Sequence, residues 1–395
     1  MFPSYSPLSR HWALDPDVVF LNHGSFGATP KVVQGFRQEV LQRMDRNPMQ
    51  FFLHEFYAIF AEARAAVSAF VGADPEGVVF GVNTTTVVGG VLRSISFKPG
   101  DEILILDHAY GACRNAAQYV CDQTGATLAV ATLPFPVEDP QDVTEAVLAA
   151  VTDRTVLALV DHITSPTALV LPIEDIVREL NVRGVDSLVD GAHALGMTRL
   201  ELDQLGATYY VGNLHKWVSA PKTLAFMSVR ADRRSTVRPA VISHGATGST
   251  EGMSRLHLEF DWQGTADLSA VASIGFTLQE MAAMMPGGWD EIYRRNHALA
   301  IAGATAVRER LGTLPMAPDS MFGSMAIVEL PGGLPDPPKW PNLPGLQTVL
   351  NEKYRIPIPV IAWPALNTRL IRLSAHLYNS VEQYEYLADA LALEL

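Results

Sequence analysis

Before residue 260 the chain alternates short, wholly apolar runs with longer segments whose apolar positions recur at helical spacing. EGVVFGVN reads as a strand and TTTVVGGVLRSI as a helix; DEILILD follows as a strand, and YGACRNAAQYVCDQTG as a helix closed by Gly125. ATLAVATL, RTVLALVDHI, DSLVDGAHA, ATYYVGNLHKW and TLAFMSVR continue as strands, interleaved with the helical segments VTEAVLAAV and IEDIVRELNVRG. Several strand runs have no polar face, which predicts strands covered on both sides, as in a mostly parallel sheet flanked by helices. Polar residues gather just past the carboxyl ends of these strands, where an open α/β sheet places its ligands.

Ahead of this region, VVFLNHGSFGATP passes from an apolar run into a turn, with Gly24 and Gly27 allowing tight backbone and Pro30 suited to a helix start. Helical patterning then covers roughly 31–70 and ends near Gly72. After residue 260 the texture changes. DLSAVASIGFTLQEMAAMM predicts a long helix stopped by Pro286-Gly287-Gly288, and DEIYRRNHALAIAGATAVRERLG a second one. SMAIVELP, RIPIPVIAW and LIRLSA read as strands, VEQYEYLADALALEL as a terminal helix, and the Pro- and Gly-rich GGLPDPPKWPNLPG as a surface loop. The expected organisation is an N-terminal segment over 1–20, a large α/β domain over 21–265 and a smaller α+β domain over 266–395.

Composition narrows the class. A chain of 395 residues that is 48% hydrophobic and 18% charged has the make-up of a globular enzyme, and its length accommodates two domains. A formal charge of −13 leaves no basic surplus for neutralising phosphates, which argues against general nucleic-acid binding. Two cysteines, Cys113 and Cys121, supply no disulfide framework. No secretory pattern and no apolar run of spanning length is visible, so the expectation is a cytoplasmic protein without a membrane partner.

The sharpest chemical signal is GNLHKW, which places Lys216 at a strand-to-loop junction. That lysine is either a surface group with a snorkelling stem or an amine able to condense with an aldehyde and then move a proton. In LVDGAHALG, Asp190 ends an apolar strand, where a carboxylate is costly without a partner; it is a helix N-cap or the partner of a cationic ring nitrogen. GVNTTTVVGG offers an anion the backbone N–H groups of a helix start and the hydroxyls of Thr84 and Thr85, although threonine is also a common cap. Neither the dinucleotide fingerprint nor the P-loop is present, and no spacing points to a metal. TRLIRLSAHLYNS carries Arg369 and Arg372, either of which forms a surface ion pair or clamps a carboxylate.

The combination and order of these motifs, with LNHGSFGATP, NPMQFFLHE, FVGADP, LDHAYGA, DHITSPTALVLP, QGTAD and RLSAHLYN, resembles the class V aminotransferase family of fold-type I pyridoxal-phosphate enzymes. Within it the chain looks closest to isopenicillin N epimerase and its relatives, from about Asn22 to Asn379. The resemblance implies a fold-type I α/β architecture, pyridoxal 5'-phosphate held as a Schiff base on Lys216, and Asp190 on the pyridine nitrogen. It places Tyr110 over the cofactor face, with the alternative that Tyr110 packs in the core and His108 covers the ring. Thr84, Thr85 and His215 match the phosphate site, and Thr265 matches a residue lent by a neighbouring subunit, which implies a homodimer with shared active sites. Ser165 and His193 match the phenolate side of the cofactor, Arg372 the receiver of the substrate α-carboxylate, and Asn22 and His23 the turn lining the substrate pocket.

Three positions depart from the common pattern: Asn213 stands where many relatives have serine, Leu214 replaces the glycine that follows it, and His193 replaces a frequent glutamine. Every reaction of the family acts at the α-carbon of an amino-acid-like substrate, and the resemblance favours an epimerase or racemase. A cysteine-derivative C–S lyase is the alternative, then an aminotransferase. Tyr57, His54 and His244 are the conceivable second proton donors for racemisation. Desulfuration through a protein persulfide is disfavoured, because the stretch VIAWPALNTRLIR before Arg372 contains no cysteine.

Overall fold

The computed structural model describes residues 2–333, 345–363 and 367–395. Seven strands form the central sheet: β1 (Val78–Gly81), β2 (Glu102–Leu106), β3 (Thr127–Ala131), β4 (Thr155–Asp161), β5 (Asp186–Asp190), β6 (Tyr209–Asn213) and β7 (Ala225–Val229). Their order across the sheet is β1-β7-β6-β5-β4-β2-β3. β3, β2, β4, β5 and β6 run parallel, whereas β7 is antiparallel to both β6 and β1. β2, β4, β5 and β6 are buried along almost their whole length, which is why their sequences have no polar face; the edge strand β3 is half exposed.

A second sheet of three antiparallel strands, ordered β8-β10-β9, is built from β8 (Met325–Leu330), β9 (Val360–Trp363) and β10 (Thr368–Ser374). The architecture is therefore the expected α/β one, a mixed and mostly parallel sheet flanked by helices, with a smaller α+β C-terminal part. The N-terminal segment is tied to that part: Ser6 donates its N–H to Tyr378 O at 2.9 Å and its hydroxyl to Leu377 O at 2.6 Å.

Local departures from the sequence expectations have local causes. The helical stretch over 31–70 is broken only at Asn47: Lys31–Arg46 ends there, and Asn47 caps a new start at Pro48, which lacks an N–H. The second run continues through Pro48–Gln50 and a π-helical turn at Phe51–Glu55 into Phe56–Val71. The helix expected after residue 266 is interrupted at Ser273, whose hydroxyl bonds back to Ser269 O. RIPIPVIAW yields a strand only from Val360, since Pro357 and Pro359 have no donor for a ladder. The proposed loop GGLPDPPKWPNLPG falls mostly outside the described residues. Among the described residues, no helix is long and apolar enough to cross a membrane.

Candidate active site

The carboxyl ends of β4, β5 and β6 and the start of the Thr84–Ser94 helix surround a cavity of about 360 Å³. Ten of the thirteen residues singled out in the sequence line it: Thr84, Thr85, Tyr110, Ser165, Asp190, His193, Asn213, His215, Lys216 and Arg372. Asn22, His23 and Thr265 do not. The ten lie apart in sequence, and most are brought together by parallel strands that end on the same edge of the sheet.

Lys216 follows β6 in a turn closed by Ser219 N–H on Lys216 O at 2.8 Å. The N-terminal turn is pressed against that loop. A side chain at Gly27 would meet His215 O at 2.5 Å and Lys216 O at 2.7 Å, so only glycine allows this approach. Lys216 Nζ lies 2.9 Å from His193 Nε2, and Trp217 Nε1–H donates to His193 Nδ1 at 3.3 Å. Indole can only donate, so Nδ1 must accept and the proton of a neutral imidazole sits on Nε2. His193 is neutral: burial, then the charges of Lys216 and Arg372, hold it well below its usual range. Its Nε2–H therefore points at Lys216, which accepts as a free amine. Burial and the neighbouring Arg372 push the lysine down to about 7, in agreement with that geometry.

Asp190 is buried at the end of β5, where Ala192 N–H donates to Oδ1 at 3.0 Å and Cys113 Sγ to Oδ2 at 3.3 Å. Burial raises its pKa, while those two donors and Lys216 oppose the rise. Arg372 projects from β10 and donates through Nη1 to Ser165 O at 2.5 Å and through Nη2 to Ser25 Oγ at 2.9 Å. Its Nε is enclosed and has no partner. Arg369 instead points away and bonds Pro331 O at 2.9 Å.

At the other end, Asn213 Oδ1 accepts from Thr84 N–H at 3.0 Å, fixing the helix start against β6. Thr84 Oγ1 is buried without a partner, next to Thr85 on the cavity wall. His215 Nδ1 donates to Leu224 O at 3.1 Å, so its Nε2 bears no proton while the ring is neutral. Burial lowers that imidazole to about 4. A phosphate dianion seated there would draw a proton onto it.

Tyr110 is half exposed on the cavity wall, whereas His108 is fully buried, bonded to Thr167 Oγ1 at 2.7 Å and packed on Phe135 and Trp363. His23 lies behind the lysine, with Nε2 on Lys216 O at 2.9 Å and Nδ1 accepting from Tyr378 at 2.8 Å. Asn22 accepts from Ser25 Oγ at 2.7 Å and so stands one residue removed from Arg372. Thr265 is exposed. Tyr57, His54 and His244 are absent from the cavity lining.

Sequence reasoning missed Ser25, Phe26, Asn83, Asp161 and Cys113. Asp161 could have been found by the same signal as Asp190, a carboxylate ending an apolar strand in LALVD. Ser25 and Cys113 carried none, since what matters is their position across the fold. Among the described residues, no cluster of His, Cys, Asp or Glu is arranged to hold a metal ion.

The cavity fits pyridoxal 5'-phosphate on its own evidence: an amine and a buried carboxylate line it together with a helix N-terminus whose first residue, Thr84, carries a buried hydroxyl without a partner. Comparison with known proteins agrees. A family model described as aminotransferase class-V matches residues 19–316. A probable L-cysteine desulfhydrase of Arabidopsis thaliana is 30% identical over 98% of this chain and 84% of its own length. An isopenicillin N epimerase of Amycolatopsis lactamdurans is 33% identical over 96% of each. The solved cystine C-S lyase C-DES, in complex with cysteine persulfide, shares the fold with a TM-score of 0.77 at 22% identity, over 95% of this chain and 97% of that one.

These matches correct the expectation that the chain is closest to isopenicillin N epimerase and works as an enzyme of that type. Desulfhydrases align over the same span at a comparable identity, and the solved structures that share the fold include a C-S lyase and cysteine desulfurases. The sequence misled for a physical reason. The motifs that carried the resemblance lie in or around a cavity fitted to a cofactor that every reaction of the group requires, and they do not distinguish one of those reactions from another.

Proposed function

From the premise that the chain belongs to the class V aminotransferase family, and so is a pyridoxal-phosphate enzyme acting on an amino-acid substrate, we propose that it is a C–S lyase releasing the sulfur of a cysteine derivative by β-elimination. When bound, the cofactor supplies an electron sink for charge left on the substrate α-carbon. The protein supplies the rest. Arg372 receives the α-carboxylate through its fork, Asp190 keeps the ring nitrogen protonated, and Tyr110 covers one face of the ring. Thr84, Thr85, Asn213 and His215 hold the phosphate; Ser165 and His193 serve the phenolate side.

The free amine of Lys216 would take the substrate's α-proton, and this requires an amine that is neutral near pH 7. The Cβ–S bond then breaks with its electron pair on sulfur, and water releases the remainder as pyruvate and ammonia. The observation that carries the lyase reading is the alignment of cysteine desulfhydrases over nearly the whole chain, and the placement of the cysteines separates direct elimination from transfer through a protein persulfide. Cys113 is buried against Asp190 and Cys121 is buried in the same Gly111–Thr124 helix, so neither is a nucleophile poised to receive sulfur. Direct elimination needs none. The exposed Thr265, outside its own subunit's cavity, supports a homodimer in which it completes the partner's phosphate site.

Incubation of the holoenzyme with L-cysteine, L-cystine and other amino acids in D₂O separates the outcomes. Sulfide or persulfide with pyruvate and ammonia is the expected result. Inverted, α-deuterated amino acid without pyruvate, or a keto acid retaining the sulfur, would overturn the proposal.

A further inference from the structure

Asp161 ends β4 directly opposite Asp190 in the parallel register of β4 and β5, so two carboxyl groups leave neighbouring strands on the same side of the sheet. Both are buried and both line the cavity. Their surroundings are unequal. Asp190 has a donor on each oxygen, Ala192 N–H on Oδ1 and Cys113 Sγ on Oδ2, whereas Asp161 takes support from the backbone N–H groups of Tyr110 and of Asp161 itself, and its Oδ2 is enclosed without any partner. Lys216 is the amine facing both groups, and by the geometry above it is neutral before the cofactor binds, so it offers neither carboxyl group a full positive charge.

Two adjacent carboxylates away from water cannot both ionise cheaply, and the one with an oxygen left bare keeps the proton. We infer that Asp161 is a second carboxyl group of the cofactor pocket, held as the neutral acid beside ionised Asp190, so that the pair sets one negative charge against the one positive charge of the ring nitrogen. Its burial and the nearness of Asp190 both raise its pKa well above the ordinary carboxylate range, in the same sense. Asp161 is then a positioning residue: it fills the space beside Asp190 with a neutral hydrogen-bonding group, keeps water out, and leaves Asp190 unscreened toward the ring.

This inference rests on the proposed role of Asp190, and the test separates the two. Apoprotein is titrated with pyridoxal 5'-phosphate and with its 1-deaza analogue, in which the ring nitrogen is replaced by C–H, and the ratio of dissociation constants is read. Infrared difference spectra at neutral pH read the carbonyl stretch of any protonated carboxyl group. Wild type is expected to prefer the natural cofactor and to show that stretch. Asp161→Asn, an isostere of the neutral acid, keeps the preference within about threefold and removes the stretch; Asp161→Ala lowers the preference by roughly tenfold. An unaltered ratio in Asp161→Ala, a loss in Asp161→Asn as large as in Asp190→Asn, or a stretch that survives Asp161→Asn would overturn the inference. An unaltered ratio in Asp190→Asn would instead overturn the placement of Asp190 on the ring nitrogen.

Discussion

Trp217 donates its indole N–H to Nδ1 of His193 at 3.3 Å, and this one contact decides which way the imidazole faces Lys216. With Nδ1 engaged as an acceptor, Nε2 carries the proton and the lysine amine, 2.9 Å away, must be the acceptor. The residue following the lysine therefore adds to the effect of burial and Arg372 by fixing, through His193, a donor that faces the neutral amine.

The depressed lysine should be visible in cofactor capture. Only the neutral amine condenses with an aldehyde, and Lys216 is neutral above about pH 7 rather than above its ordinary 10.5. The rate at which apoprotein takes up pyridoxal 5'-phosphate is expected to rise with pH through about 7 and then level off. Stopped-flow absorbance across the range checks this. In Trp217→Phe the imidazole is free to present Nε2 as an acceptor, which favours the ammonium form. The rising limb is then expected to move upward by as much as about one pH unit.

Lys216→Ala is expected to abolish the visible band of covalently held cofactor and to lower turnover by at least about 10³-fold, the scale of a lost general base. Absorbance of the purified variant and its rate of pyruvate release measure the two effects separately. An unchanged band would show that another amine holds the cofactor.

Arg372 owes its orientation to Ser25 and Ser165, one on each side of the guanidinium. Arg372→Lys keeps the charge but loses the fork, and kcat/KM for carboxylate substrates is expected to fall about 10- to 100-fold. Ser25→Ala leaves the arginine in place with one restraint fewer, and the expected loss is only severalfold, mainly in KM. Steady-state kinetics on the two variants, with a substrate amide as control, distinguish charge from geometry: the amide should be indifferent to both.

Elimination without a protein thiol predicts that the cysteines are dispensable. Cys113→Ser retains a donor to Asp190, and combined with Cys121→Ala it gives a cysteine-free enzyme. Sulfide release is expected to remain within about threefold of wild type, since only a weak S–H bond is exchanged for an O–H bond. Loss of sulfide release with cofactor still bound would point to a persulfide on the protein.

The sequence alone determined the architecture and most of the cavity. Wholly apolar runs such as those of β2 and β4 declare strands covered on both faces, and a carboxylate or a lysine at the end of such a run is conspicuous because burial there demands a partner. Those signals are local, so Asp190 and Lys216 could be read along one stretch of chain. The tertiary structure alone decided everything that depends on juxtaposition. Asp161 became a partner of Asp190 through strand register, Ser25 reached Arg372 across 347 residues, and Trp217 found His193 across 24. Hydrogen bonds and charge coupling act over a few ångströms of space, and contacts between distant parts of the chain leave no periodic trace in any one segment of it.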